Sequence, residues 1–234
     1  DKGTLATLSG ILSNAQGRSN HVLQVLKKVS DAQLAGIDIA YLDLPADQRT
    51  SFTLFIAELS QQLHAAGKTL SLTLPAPLKA QDRIDEGAYD WTELGKYADI
   101  LQMTPYRDQG TFRQTMPEIL DYLTARVPAT KLVLTVTPYA TEKSAEGIRT
   151  MAITEAMSIA TKLGIRSDRV QTNSNVEVYG PNIDRGENLT GVKWDEATAT
   201  VAFTYKQGAI NRTIWIENFF SLGFKLEFIT RYRL

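Results

Sequence analysis

The feature that most constrains this chain is a repeated change of hydrophobic period. Over the first 139 residues, short apolar runs suited to strands alternate with longer stretches whose apolar residues recur at helical spacing. Strands are expected at residues 4–12, 36–42, 69–74, 99–103 and 131–137. Between them, one helix is expected from a Ser19 N-cap, with Val22, Val25, Leu26 and Val29 on one face. A second carries Phe52, Phe55, Ile56, Leu59 and Leu63 and ends at Gly67, and a third carries Met116, Ile119, Leu120, Leu123 and Val127. Strands separated by helices of this length form a parallel sheet with helical crossovers. Five such strands are too few to close an eight-stranded barrel. A barrel reading therefore predicts free sheet edges beside residues 4–12 and 131–137.

Past Thr137 the rhythm breaks. Ile148, Ala152, Ala156, Ile159 and Leu163 form a helical stripe ended by Gly164, and short β-like runs follow at 175–179, 198–205 and 213–217, with a turn at Lys206-Gln207-Gly208. This predicts three parts: residues 1–139 as parallel α/β, 140–211 as a small α+β insertion, and 212–234 as a return to the first part. Residues 219–232 are apolar nearly all round, as in a helix packed on several sides.

Composition excludes several kinds of chemistry. With 25 basic and 26 acidic residues there is no charge excess to attract nucleic acid. The absence of cysteine rules out thiolate nucleophiles and cysteine-based metal or iron–sulfur sites. No apolar run approaches the roughly 20 residues of a membrane span. His21 and His64 stand alone, without metal-ligand spacing, and neither a phosphate-binding glycine loop nor a Gly-x-Ser-x-Gly elbow occurs. No cofactor is expected.

The order of several short motifs carries more. Residues 35–42 read Ala35-Gly36-Ile37-Asp38-Ile39-Ala40-Tyr41-Leu42, followed by Asp43-Leu44-Pro45; then come Thr69 to Pro75 (TLSLTLP), 99–103 (DILQM) and 131–139 (KLVLTVTPY). This succession resembles strands four to seven of glycoside hydrolase family 18, whose fourth strand carries Asp-Gly-x-Asp-x-Asp-x-Glu. Residues 191–196 (GVKWDE), 203–205 and 213–217 (TIWIE), with Ser221 and Lys225 opening the last helix, are similar to the small insertion domain of the family's spore-cortex type.

The resemblance implies a (β/α)8 barrel, represented here by strands three to seven, on an extracellular or cell-surface protein. Its implied ligand is an N-acetylglucosamine-containing glycan, peptidoglycan or chitin, and its further partners are other domains of a longer chain. In the family, the motif's glutamate donates the proton to the glycosidic oxygen, and the aspartate two residues earlier orients the substrate acetamide. Leu42 and Ala40 stand at those places and Ala35 at the first aspartate, so the family mechanism is not available to them. Asp38 stays in register, facing inward. Asp43 lies one residue beyond, and strand alternation turns it toward the helix layer unless the strand ends first.

The family's Met-x-Tyr-Asp is stretched here to Met103-Thr104-Pro105-Tyr106-Arg107-Asp108, just past a strand's C-terminal end, where barrels bind ligands. Tyr139 holds the corresponding place after the next strand. Asp38, Asp43 and Asp108 are thus the candidate carboxylates, and Asp38, Trp91, Met103, Tyr106, Asp108 and Tyr139 the candidate ligand contacts. Trp91, in a polar segment, either stacks on a sugar or packs in the core. For Trp194 and Trp215 the core is the simpler place. The implied functions are a non-catalytic glycan binder, a hydrolase with a displaced carboxylate, or a structural module of a cell-surface protein.

Overall fold

The computed structural model describes residues 2–164 and 192–234, arranged as two compact units. The first comprises the chain up to Pro105 with Pro117–Thr135 and Ile229–Leu234; the second comprises Tyr106–Met116 and Val136–Phe228. The predicted strand run at 175–179 lies outside the described residues.

The first unit opens on two helices, α1 (Lys2–Ser13) and α2 (Ala15–Asp31). The strand expected at 4–12 is therefore a helix. Leu5, Leu8 and Leu12 recur at three- and four-residue intervals, and Leu12 is fully buried, so the leucines line one helical face. Asn14, rather than Ser19, caps α2, its side chain accepting from the Gly17 N–H at 2.9 Å. Strand β1 (Gly36–Ile39) leads to α3 (Arg49–Ala65), and β2 (Thr69–Leu74) follows. A hairpin of β3 (Leu78–Ala80) and β4 (Arg83–Asp85) precedes α4 (Trp91–Tyr97) and β5 (Ile100–Met103). Then come α5 (Phe112–Thr124) and β6 (Leu132–Leu134).

The four strands β1-β2-β5-β6 form a parallel sheet in that order, with Asp38 beside Ser71, Thr73 beside Gln102 and Gln102 beside Val133. Alternation sends Ile39, Leu70, Leu72, Leu74, Leu101, Met103 and Leu132 to one buried face, and the α3 stripe from Phe52 to Leu63 is buried as well. Asp38, Ser71, Thr73, Gln102, Ile100 and Val133 share the other face, where Ile100 and Val133 are exposed. Among the described residues, β1 and β6 each pair on one side only, and the sheet does not close. The first free edge is thus that of β1, not of residues 4–12.

The second unit holds an antiparallel sheet in the order β8-β7-β11-β10-β9: β7 (Ala140–Ser144), β8 (Gly147–Met151), β9 (Lys193–Asp195), β10 (Thr200–Gln207) and β11 (Ile210–Ile216). Helix α6 (Ile153–Gly164) contributes Ala156 and Ala160 to a core with Phe203, Tyr205, Ile214 and Ile216. The helix α7 (Phe219–Tyr232) closes the chain. Two expectations change here. Ile148 and Ala152 precede the helix, Ile148 lying in β8, because Gly147 at φ 126° turns the chain into a hairpin whose strands share the Glu142–Arg149 ion pair. And β11 belongs to this sheet, so the second unit runs past residue 211 to Phe228, rather than returning to the first part at 212.

Candidate functional site

Within the first unit, the face of the parallel sheet opposite the helices carries a row of polar side chains. Parallel register sets Asp38 beside Ser71, one strand over, and Thr73 beside Gln102. Asp38 Oδ2 accepts from the Thr73 hydroxyl at 2.8 Å, and its Oδ1 lies at the long limit, 3.5 Å, from Gln102 Nε2, which donates to Ser71 Oγ at 3.2 Å. The row is exposed at Asp38 and half-buried at Ser71, Thr73 and Gln102. A carboxylate, two hydroxyls and an amide on one open face offer donors and acceptors of the kind that hydroxyl-rich ligands use.

At the C-terminal end of β1 the chain turns. The strand stops at Ile39, so alternation no longer dictates where Asp43 faces, and Asp43 is exposed in the turn. It caps no helix, because Pro45 and Gln48 hold the N-cap positions of the two helical segments that follow. Ala40 is exposed and Leu42 half-buried. Tyr41 faces the helix layer, its hydroxyl 2.7 Å from His21 Nε2 and its ring stacked on Phe55.

Tyr89 fastens this turn: its hydroxyl donates to Tyr41 O at 2.5 Å and accepts the Leu44 N–H at 3.1 Å. Burial, reinforced by the Asp43 charge and opposed by the Leu44 N–H, pushes the Tyr89 phenol up to about 12. Arg49 adds a second clasp, donating to Gly87 O at 3.0 Å and to the buried Glu86 carboxylate at 3.2 Å. Burial raises the Glu86 pKa despite Arg49.

Two sequence expectations are corrected here. Trp91 is fully buried in the first turn of α4, behind the Asp90 cap that accepts the Glu93 N–H, so its indole offers no face to a sugar. Met103 registers with Leu74 on the buried side, so it lies on the face opposite Asp38.

The second unit contains the other candidates. Residues 106–111 form a loop tied by its own bonds: Asp108 Oδ1 accepts the Gly110 N–H at 3.1 Å and Asp108 O the Thr111 N–H at 3.1 Å. Asp108 Oδ2 is paired with Lys143 Nζ at 2.7 Å. The Tyr106 hydroxyl lies 3.3 Å from Thr111 Oγ1 and its ring packs near Phe112. A Cβ on Gly110 would stand 3.1 Å from the Trp215 ring, so the glycine leaves room for the indole beside this loop. Trp215 is buried and donates to Asp195 at 3.4 Å, whereas Trp194 and Tyr139 are exposed.

Sequence reasoning quoted Glu217, Ser221 and Lys225 only as part of a motif and missed Gln109 and the cluster they form beneath this loop. Gln109 turns inward at 3% exposure, donating to Thr198 O at 3.3 Å and accepting from Lys225 Nζ at 2.9 Å. Lys225 is ion-paired with Glu217, which also accepts the Ser221 hydroxyl at 2.8 Å, and lies 4.7 Å from the Phe112 ring centroid. Burial lowers the Lys225 pKa, and Glu217 opposes that shift. A lysine on a helix reads as a solvated residue, and only its bonds to Glu217 and to the distant Gln109 show otherwise.

Among the described residues no cluster of His, Asp or Glu could hold a metal ion, and no helix is long and apolar enough to cross a membrane. Residues 2–234 match the family model for glycosyl hydrolases family 18. The chain belongs to this family. In sequence it is 23% identical over 141 residues to the glycosylase YvbX of Bacillus subtilis, covering 56% of this chain and 41% of YvbX. It is 25% identical over 138 residues to YdhD of the same organism, covering 55% of this chain and 32% of YdhD. The chain thus spans less than half the length of these curated relatives.

Solved structures of the family share the fold. YdhD superposes with a TM-score of 0.75 at 18% identity, over 98% of this chain and 72% of that one. The chitinase of Chromobacterium violaceum gives 0.70 at 22%, over 94% and 65%. The spore cortex-lytic enzyme SleL of Bacillus cereus gives 0.71 at 16%, over 98% and 51%. The parallel sheet with its crossover helices is accordingly of the (β/α)8 type, represented here in part.

Proposed function

We propose that this member of family 18 binds an N-acetylglucosamine-containing glycan, peptidoglycan or chitin, at the cell surface or outside the cell, without cleaving it. The observation that carries this reading is Leu42. It stands where the family motif places its proton-donating glutamate, and an aliphatic side chain has no proton to give. Ala40, in the place of the acetamide-orienting aspartate, removes the second requirement of substrate-assisted cleavage. Loss of positioned acid catalysis alone costs roughly 100- to 10,000-fold in rate.

What remains suits recognition. Asp38, Thr73 and Gln102 supply donors and acceptors on one face of the parallel sheet, and Tyr106, Asp108 and the exposed Tyr139 do so in the second unit. A few polar groups with apolar faces suffice for modest affinity in a preformed site. SleL is a spore cortex-lytic enzyme and the Chromobacterium protein a chitinase, which fits a glycan of this class. In this reading β1, β2, β5 and β6 are barrel strands four to seven, and the antiparallel unit is the family's insertion domain.

A displaced carboxylate is the second reading, favoured by one observation: β1 ends at Ile39, leaving Asp43 exposed and unconstrained by strand alternation. Calorimetric titration with chitin and peptidoglycan oligomers, beside chromatography of a long incubation, separates the two. Binding without shorter products is expected. Turnover abolished in Asp43→Asn would establish the displaced acid instead, and absence of binding to any glycan would leave a structural module.

A further inference from the structure

Beneath the loop at residues 106–111 the second unit buries an ion pair, Lys225 with Glu217. Lys225 and Glu217 are each less than 10% exposed, as are Gln109, Ser221 and Thr198 around them. Withdrawing an ammonium and a carboxylate from water costs more than their mutual attraction commonly returns, and apolar pairs of similar volume are as stable or more so. What such a pair supplies is a fixed arrangement of donors and acceptors.

Here the arrangement points at Gln109. The Lys225 ammonium has donors only, so the amide must turn its oxygen toward Nζ, at 2.9 Å. The amide nitrogen is thereby aimed at Thr198 O, 3.3 Å away. Reversing the amide would set N–H against N–H and carbonyl against carbonyl. Gln109 is flanked by Asp108 and Gly110, whose mutual bond shapes the loop. Fixing its side chain from below therefore fixes the backbone on which Asp108 is carried.

We propose that Lys225, held by Glu217, is the positioning residue of loop 106–111, gripping Gln109 so that Tyr106 and Asp108 are presented in one geometry. Its functional meaning rests on the glycan-binding reading above, in which those two residues meet the sugar.

The test uses the chain as it stands, with two variants that cut the grip differently and a third that keeps the contact with Lys225. Gln109→Leu removes the link alone, and Glu217→Leu with Lys225→Met replaces the pair by apolar residues. Gln109→Glu keeps an oxygen facing Lys225. Exchange of the Gly110 and Thr111 amides by NMR, the melting temperature, and calorimetric affinity for an N-acetylglucosamine tetramer are measured on each. Exchange at both amides is expected to rise, and affinity to fall, about tenfold in the first two variants, with a smaller change in Gln109→Glu, which keeps the Lys225 contact and loses only the donor to Thr198 O. The double variant should melt within a few degrees of wild type.

Unchanged amide exchange in both cutting variants overturns the positioning role even where the wild type binds glycan. Faster exchange in a chain whose wild type binds no glycan upholds Lys225 as the loop's anchor and ends the glycan reading instead.

Discussion

The parallel and antiparallel sheets of this chain are held by different physics. The parallel sheet buries one face of leucine, isoleucine and methionine and leaves the other polar and open. The antiparallel sheet buries charge: Glu142, 1% exposed, accepts from Arg149 at 2.9 and 3.3 Å, Arg212 at 2.9 Å and the Tyr205 hydroxyl at 2.7 Å. Burial alone would raise the Glu142 pKa, but the bonds from Arg149, Tyr205 and Arg212 outweigh it and hold the carboxyl below its ordinary range. The first unit is thus stabilised chiefly by area removed from water, whereas the second adds to its own apolar core a buried carboxylate held by paired charges. Each should be vulnerable where the other is tolerant.

The largest expected effect is from Phe55→Ala in the first unit. Phe55 is fully buried and stacks on His21 and Tyr41, and its removal should cost about 3–5 kcal/mol. The indole resonances of Trp91 and Trp215 report the two units separately in a urea titration. A loss confined to Trp91 sharpens the contrast, and an equal loss at both breaks it. Glu142→Gln should cost the second unit about 3 kcal/mol, because Arg212 and Arg149 lose their buried counter-charge. This loss should appear first at Trp215.

Gly36→Ala comes next. A Cβ there would lie 2.4 Å from the Thr69 carbonyl oxygen, so β1 and β2 must part, at a cost of about 1–3 kcal/mol read from the same Trp91 resonance.

Acid should separate the units in order. Burial lowers the His21 pKa from 6.5, partly opposed by Gln24, so its neutral form belongs to the folded state. Its contribution is complete above pH 6.5 and declines as pH falls through 6.5 toward the folded value. Glu142, depressed from 4.5, contributes fully above pH 4.5 and is lost as pH falls through its lowered value. Melting followed from pH 8 to 3 should weaken the Trp91 signal first and the Trp215 signal later. His21→Gln should remove the first step, and Glu142→Gln the second. The smallest effect is expected from Val133→Thr on the open face, within about 0.5 kcal/mol, since Val133 is already 42% exposed. A larger loss would mean that this face is covered in solution.

The sequence was most legible where one period ruled a whole element. The α3 stripe from Phe52 to Leu63 is buried as expected, and Gly67 takes the positive φ, 65°, of a residue just past a helix. It misled where two periods coincide, as in residues 4–12, whose leucines suit a strand or a helix until Leu12 finds its partners. Strands β7 and β8 escaped notice because Glu142, Lys143 and Arg149 all look solvated in sequence, whereas Glu142 is in fact buried and paired with Arg149 across the hairpin.

At the candidate site, Asp38 was legible because it lies on a regular strand, whereas Trp91 was not. Its polar neighbours suggested exposure, although Asp90 and Glu93 spell a helix start that places the indole inside. The ties among Gln109, Lys225 and Glu217 span up to 116 residues and leave no local trace.

On the non-catalytic reading proposed above, the close approach of Gly36 to Thr69 bears on how a lineage can be read after its chemistry is gone. Within one eight-residue signature, some positions answer to the neighbouring strand and others only to a substrate. Gly36 is of the first kind, since any larger residue would meet a backbone atom, while Ala40 and Leu42 press on nothing that demands a carboxylate. Mutation can therefore erase the reactive letters and leave the architectural ones standing. The ancestry of such a chain stays recognisable through the letters that never took part in the reaction.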